Sequence, residues 1–349
     1  MEKNNTNLQS IQIMRGIASL LVVLTHIEVK GSQYGNGALK GFSVGGAGVD
    51  LFFIISGYVM CISTYNKPVN FSRFIIRRIQ RIIPLYWLVT TIALIVYLYK
   101  PDLVNSSGGE TSIFASYTLI PNGKKLLNQN GWTLSYEFFF YFVFGAFLGK
   151  GTIKAMQVSS LIILLLVVTG LCFNFNEYLL TFFTSSYLIE FVFGMGCFYL
   201  FDKKVIRIGY KYSVALIVLG LLLFYLQMLL AIPYSEKWRG VVWGIKVLPI
   251  FIGLLSLEGL IQRSSALIKR LLLEIGNSSY SLYLIHPFTL SGTALCLRRL
   301  GMASNPWSFT IILLVSSVII AHLVYLYVER PLTSLAKRRY SVSKTAGRI

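Results

Sequence analysis

Arg15 and His26 stand eleven positions apart in an apolar run over residues 11–29. At about 100° per residue in a helix of ~3.6 residues per turn, that spacing is close to three full turns, so both side chains leave one helix face, with an axial offset of roughly 16 Å. A permanent cation and an imidazole are each costly in hydrocarbon, and a face that carries both must look onto a polar cavity or a partner. A neutral histidine so placed can take the proton of a weak nucleophile such as a hydroxyl.

Further residues of chemical interest lie along the chain. Asp50 follows the small-residue run Gly45-Gly46-Ala47-Gly48 at the mouth of a second apolar stretch, on the same side as His26. Two readings stand: its carboxylate orients the imidazole, or it is an interfacial residue beside glycines that serve helix packing. Arg77, Arg78 and Arg81 precede Pro84, Tyr86 and Trp87. Neighbours on a helix at spacings of three and four, they make a cationic fork that suits a phosphate-bearing ligand and equally suits lipid headgroups. Glu137 sits in Trp132-Thr133-Leu134-Ser135-Tyr136-Glu137, where a carboxylate needs a cavity or partner, and Trp132 and Tyr136 can stack on a sugar ring or serve as belt aromatics. His286 precedes Pro287, so it either reaches a substrate or satisfies the carbonyl that the proline frees. Glu190 and Lys246 are further ions within apolar runs that gain no role from the sequence, and His322 reads as structural.

Membrane helices must position these residues. The chain has 349 residues, 55% hydrophobic and 13% charged, and its apolar runs of near twenty residues exclude a soluble globule and an outer-membrane barrel. An all-α polytopic fold follows, with about ten transmembrane helices near 11–30, 46–65, 83–99, 132–149, 155–173, 178–201, 212–231, 239–261, 277–297 and 308–328. With both termini cytoplasmic, inner loops and tails carry 21 Lys and Arg and outer loops nine, in accord with the positive-inside rule. The net charge of +19 therefore reads as topology and contact with anionic lipid, not as nucleic-acid binding. The first span is expected to be retained rather than cleaved as a signal peptide. The longest loop, 100–131, is punctuated by Pro101, Gly108-Gly109 and Pro121-Asn122-Gly123 and falls on the outer side, where it can contact an acceptor. Cys61, Cys172, Cys197 and Cys296 have no metal-ligand spacing and read as small core residues, so no metal is expected.

Together these stretches resemble the acyltransferase family 3 membrane proteins, which include bacterial O-antigen acetylases and the exopolysaccharide production proteins of rhizobia. The resemblance rests on Arg15 with His26, Gly48-Val49-Asp50-Leu51-Phe52-Phe53 with Ser56-Gly57, Arg78-x-x-Arg81 before Pro84 and Tyr86-Trp87, Trp132-Thr133-Leu134-Ser135-Tyr136-Glu137, Tyr280-Ser281-Leu282-Tyr283-Leu284-Ile285-His286-Pro287, and Glu329-Arg330-Pro331, in that order along nearly the whole chain. It implies a single acyltransferase domain over residues 1–349, without the C-terminal periplasmic esterase-like domain of one variant of the family. It implies transfer of an acyl group, usually acetyl, from cytoplasmic acyl-coenzyme A to a hydroxyl of a surface polysaccharide or its lipid-linked oligosaccharide precursor, in the bacterial cytoplasmic (inner) membrane. His26 and Arg15 are then essential, with His26 acting as base or through a transient acyl-His26; Arg78 and Arg81 serve the donor. Asp50 or Glu137 would orient the imidazole. The competing reading is a carrier or flippase for lipid-linked saccharides, whose buried ions line a pathway and for which acyl-coenzyme A is irrelevant; a polysaccharide polymerase would be expected to use a larger outer loop.

Overall fold

Each apolar run of the sequence folds as helix, because hydrocarbon leaves the backbone no other way to satisfy its N–H and C=O groups within one segment. The computed structural model describes residues 8–34, 37–42, 44–105, 108–202, 208–230, 233–302 and 304–337, and no strand forms among them. The principal helices are α1 (Gln9–Gln33), α2 (Ala47–Thr64), α3 (Phe71–Tyr99), α4 (Gly131–Ala146), α5 (Thr152–Cys172), α6 (Ile189–Asp202), α7 (Tyr210–Leu229), α8 (Arg239–Ser256), α9 (Leu267–Asn277), α10 (Ser279–Arg299) and α11 (Pro306–Val324). Among the described residues, eight helical segments are long and apolar enough to cross a membrane.

Two of the ten expected spans, α4 and α10, fall outside that set, and each for a physical reason. Helix α4 has 16 residues, roughly 24 Å of rise against a hydrocarbon core of about 30 Å. Helix α10 has 21 residues but spends many of them on Ser279, Ser281, His286, Thr289, Ser291 and Thr293 and ends on Arg298 and Arg299. Both lie inside the bundle, where protein rather than lipid meets their polar groups. Helix α3 also begins well before the apolar run, at an Asn70 cap whose side chain accepts from the Arg73 N–H. Arg77, Arg78 and Arg81 are thus on the first turns of a long helix, not in a loop.

Helix α2 is the centre of the bundle: 72% of its apolar stretch is buried, against 17% for the α7 and α11 segments. Its small residues allow this. A Cβ at Gly48 would lie 2.2 Å from the Ala18 carbonyl oxygen of α1, and one at Gly57 would lie 2.2 Å from that of Phe191 in α6. The periphery is apolar in the opposite direction, with Leu161, Leu165, Val218, Leu221, Ile311 and Ile319 exposed; a continuous belt of that kind suits a lipid solvent.

The N-terminus of α1 is anchored by a distant residue. Glu258, in the short helix Glu258–Arg263, accepts from the backbone N–H groups of Gln9 at 3.0 Å and Ser10 at 2.7 Å. A carboxylate there satisfies orphan donors and opposes the positive end of the helix dipole, fixing the turns that carry Arg15. At the other end of the bundle, the 100–131 segment is tied to α10. Pro287 leaves the Tyr283 carbonyl without its helical donor, and Asn130 supplies one at 2.6 Å, with Asn128 donating to Leu284 at 3.3 Å.

Candidate functional site

A cavity of ≈ 220 Å³ runs among α1, α2, α3, α4 and α10. Arg15 and Gln12 line it from α1, Ser56 from α2, Arg78 and Arg81 from α3, Glu137 and Tyr141 from α4, and Tyr280 and Tyr283 from α10. The sequence stretches that singled out Arg15, the arginine fork and Glu137 therefore converge on one space. Arg77 is exposed and does not line it; the fork that faces the cavity is Arg78 with Arg81, three positions apart on one face.

Glu137 is held from two sides: Ser56 donates to its Oε1 at 2.7 Å, and the Tyr141 hydroxyl donates to the same oxygen. Tyr141 in turn carries Arg78, whose guanidinium lies 5.4 Å from the Phe74 ring centre and 5.9 Å from that of Tyr141. Ring faces hold a guanidinium without consuming its N–H donors. Arg78 Nε is buried with no hydrogen-bond partner among the described residues, as are Gln12 Oε1 and Ser279 Oγ on or beside the same wall. Buried polar atoms without partners that face a cavity leave donors and acceptors free for whatever fills it. Arg15 makes no ion pair among the described residues; the carboxylates whose fields reach it are Glu329 and Glu137. Glu329, which the sequence offered only as part of a closing motif, accepts from Ser281 at 2.6 Å.

His26 is not on the cavity wall. Its ring centre lies 4.9 Å from that of His286, which is fully buried. His286 Nδ1 sits 3.0 Å from the Leu282 carbonyl oxygen, so it carries the proton and donates; Nε2 is left as an acceptor, buried and without a partner among the described residues. The carbonyl freed by Pro287 is met by Asn130 instead, so His286 is not there for that purpose. Tyr283 links the pair to the cavity. It lines the cavity, its ring centre is 6.2 Å from that of His286, and its hydroxyl bonds Thr133 at 2.8 Å.

Asp50 does not serve the imidazole. Both of its oxygens are taken by Arg239 at the start of α8, Nη1 to Oδ1 at 2.9 Å and Nη2 to Oδ2 at 3.2 Å, with Asp50 fully buried. Arg239 also lies over the rings of Tyr187 (4.9 Å) and Trp243 (4.6 Å), and Glu190 is buried beside the pair. Sequence reasoning missed Arg239 because an arginine at the edge of an apolar run is indistinguishable from a topology signal; its partner is 189 positions away.

Trp132 and Tyr136 face away from Glu137. With Tyr178, Tyr187 and Gln129 they line a second cavity of ≈ 380 Å³ beneath the 100–131 segment.

The model of the acyltransferase domain matches residues 8–326. The exopolysaccharide production protein ExoZ of Rhizobium meliloti is 31% identical over 320 residues, which cover 88% of this chain and 95% of that protein. The O-acetyltransferase OatA of Staphylococcus aureus is 24% identical over 304 residues, 78% of this chain and 49% of that protein. The putative peptidoglycan O-acetyltransferase YrhL of Bacillus subtilis is 24% identical over 365 residues, 94% of this chain and 55% of that protein. The chain thus spans about half the length of the latter two. No solved structure matches it.

Proposed function

This chain belongs to the acyltransferase family whose domain covers residues 8–326, and from that premise we propose that it moves an acyl group, acetyl in the first instance, from cytoplasmic acyl-coenzyme A to a hydroxyl of a surface polysaccharide or its lipid-linked precursor. In this reading it is a multi-pass protein of the bacterial cytoplasmic membrane, with α4 and α10 completing ten spans and both termini inside.

One observation carries the reading: a single cavity joins Arg78 and Arg81 at one end to Arg15 and Glu137 and then to Tyr283, the neighbour of the His286–His26 pair. Guanidinium forks suit the phosphates of the donor. Arg15 lies further along the path, roughly 16 Å short of His26 on α1, and guides the pantetheine arm of the donor toward the imidazole, while Glu137 balances the cations. His26 takes the proton of the sugar hydroxyl as that oxygen bonds to the acyl carbon. The carbon–sulfur bond breaks, and the proton passes to the departing thiolate. His286 packs against His26 with its Nε2 unpartnered among the described residues, and in this reading it takes up the His26 N–H once the substrates are bound and so turns the other His26 nitrogen toward the acceptor.

The test is acetyl content of the surface polysaccharide, by mass spectrometry, in a deletion strain complemented with wild type or His26→Ala, alongside acetyl-coenzyme A binding to purified Arg78→Ala/Arg81→Ala. Loss of the acetyl mass in the first and of binding in the second is expected. Full acetylation with His26→Ala, in protein that inserts normally, refutes the assignment.

A further inference from the structure

Helix α4 separates two spaces. Thr133, Glu137 and Tyr141 line the cavity that holds Arg15, whereas Trp132, Ser135 and Tyr136 line the ≈ 380 Å³ cavity on the opposite face. At about 100° per residue these two sets lie on opposing sides of one helix. The ring of Phe53 stands at the partition: it lines the first cavity and meets Trp132 at 6.4 Å and Tyr136 at 6.2 Å, both edge-on.

The second cavity is built from flat amphipathic rings with neutral polar ends. Trp132 is 36% exposed and Tyr178 is 49% exposed, so both present open ring surface. The Gln129 amide and the Tyr178 and Tyr187 hydroxyls make no hydrogen bond among the described residues. The two lysines at the mouth have their charges committed within the loop. Lys124 pairs with Glu110 at 2.6 Å and holds that carboxyl below the ordinary carboxylate value, by hydrogen bond first and by charge second. Lys125 donates to the Asn105 side chain at 3.1 Å and to the Gly108 carbonyl. What remains for a ligand is stacking surface plus uncharged donors and acceptors. That chemistry fits a sugar ring, with its C–H face and hydroxyl edge, better than an anion or a lipid tail.

We propose that this cavity binds an uncharged sugar residue of the acceptor glycan, distant from the hydroxyl that is acylated, and that the enzyme thereby selects oligomeric acceptors over single sugars. The inference rests on the acyl-transfer reading, since binding of a remote residue lowers the barrier only when the same chain reaches the reacting centre. It also gives the 100–131 segment a role: its tethers to α10 set the mouth of this cavity in register with the His286 helix.

The probe is the host's own surface glycan, chemically deacylated and cut into fragments of one to six sugars. Binding is measured by calorimetry on protein in nanodiscs, and transfer by kcat/KM for each fragment length. In wild type both should rise with length. Trp132→Ala and Tyr178→Ala should each lower the long-to-short ratio of kcat/KM about tenfold, the loss of one stacking platform, with Trp132→Phe restoring most of it; Tyr178 lies at the surface, so its variant guards against misfolding of the other. An unchanged ratio in folded variants overturns the inference while leaving acyl transfer intact. Fragment binding that depends on Trp132 and Tyr178, in a protein that transfers no acyl group to any fragment, supports the subsite and overturns the transferase reading alone.

Discussion

Replacing Arg239 with methionine is expected to destabilise the protein by about 3–5 kcal/mol, the cost of leaving a buried carboxylate without its counterion. The magnitude follows from the surroundings. Asp50 has no exposed side-chain surface and the Arg239 side chain only 11%, so water cannot replace the lost guanidinium. Two charge-assisted hydrogen bonds go at once. Asp50→Asn should cost less, about 2 kcal/mol, because Arg239 keeps the faces of Tyr187 and Trp243. The double variant, Asp50→Asn with Arg239→Met, removes both charges and should fall within about 1–2 kcal/mol of wild type, a coupling of roughly 3–6 kcal/mol. At about 2 °C per kcal/mol for a large chain, Arg239→Met lowers Tm by roughly 6–10 °C. Thermal unfolding in nanodiscs, followed by tryptophan fluorescence, reads this directly, and acetyl transfer is measured below each variant's midpoint. If Asp50 acts by holding α2 to α8, the double variant regains stability and transfer together. A shift under 1 °C for Arg239→Met, or a double variant that is stable but inactive, refutes the reasoning; the second result would return Asp50 to the chemistry.

Two further outcomes bear on the site. His286→Leu should lower kcat on the order of 100-fold with little change in the KM for the donor, since it removes the acceptor that orients His26 and leaves the arginine cavity intact; His286→Gln, whose amide oxygen can stand near the Nε2 position, should recover part of the loss, and steady-state kinetics separates the two parameters. Glu258→Ala removes the acceptor of the Gln9 and Ser10 N–H groups and should cost about 1 kcal/mol of stability together with weaker donor binding, read by calorimetry, because the turns that carry Arg15 fray.

The helices were legible because a membrane converts composition into structure, and the runs that carried α1, α2 and α5 needed nothing else. The same logic explains where length and hydropathy fall short. The segments that bear Glu137 and His286 are the ones too short or too polar to qualify as spans, since their polar residues are spent on a cavity and on contacts within the bundle. Arg15 and Glu137 were each legible as residues that need a polar cavity or a partner, because each is otherwise stranded in an apolar run; that Glu137 shares its cavity with Arg15, Arg78 and Arg81, and does not orient the His26 imidazole, was not. Partners were not legible. The Asp50–Arg239 pair and the His26–His286 contact join α2 to α8 and α1 to α10, and the sequence reports which charges need partners without saying which helices meet.

Helix α4 shows a finer limit. The stretch Trp132-Thr133-Leu134-Ser135-Tyr136-Glu137 reads naturally as one subsite, an acid flanked by aromatic rings. Helical phase already divides it, for Trp132 and Tyr136 share one face while Thr133 and Glu137 share another. What phase does not supply is that both faces look inward, onto different cavities, because a helix with aromatic and polar residues all round has no apolar stripe to declare its outside. Sandwiched in this way, α4 can be short and polar and still be held, with Phe140 stacked on Phe191 at 4.4 Å on its buried side. Its shortness then has a use. Its first turn sits level with the 100–131 segment, so Trp132 lines the cavity beneath that segment while Glu137, one turn deeper, lines the cavity that holds Arg15, and the wall between the two is no thicker than the helix and the ring of Phe53.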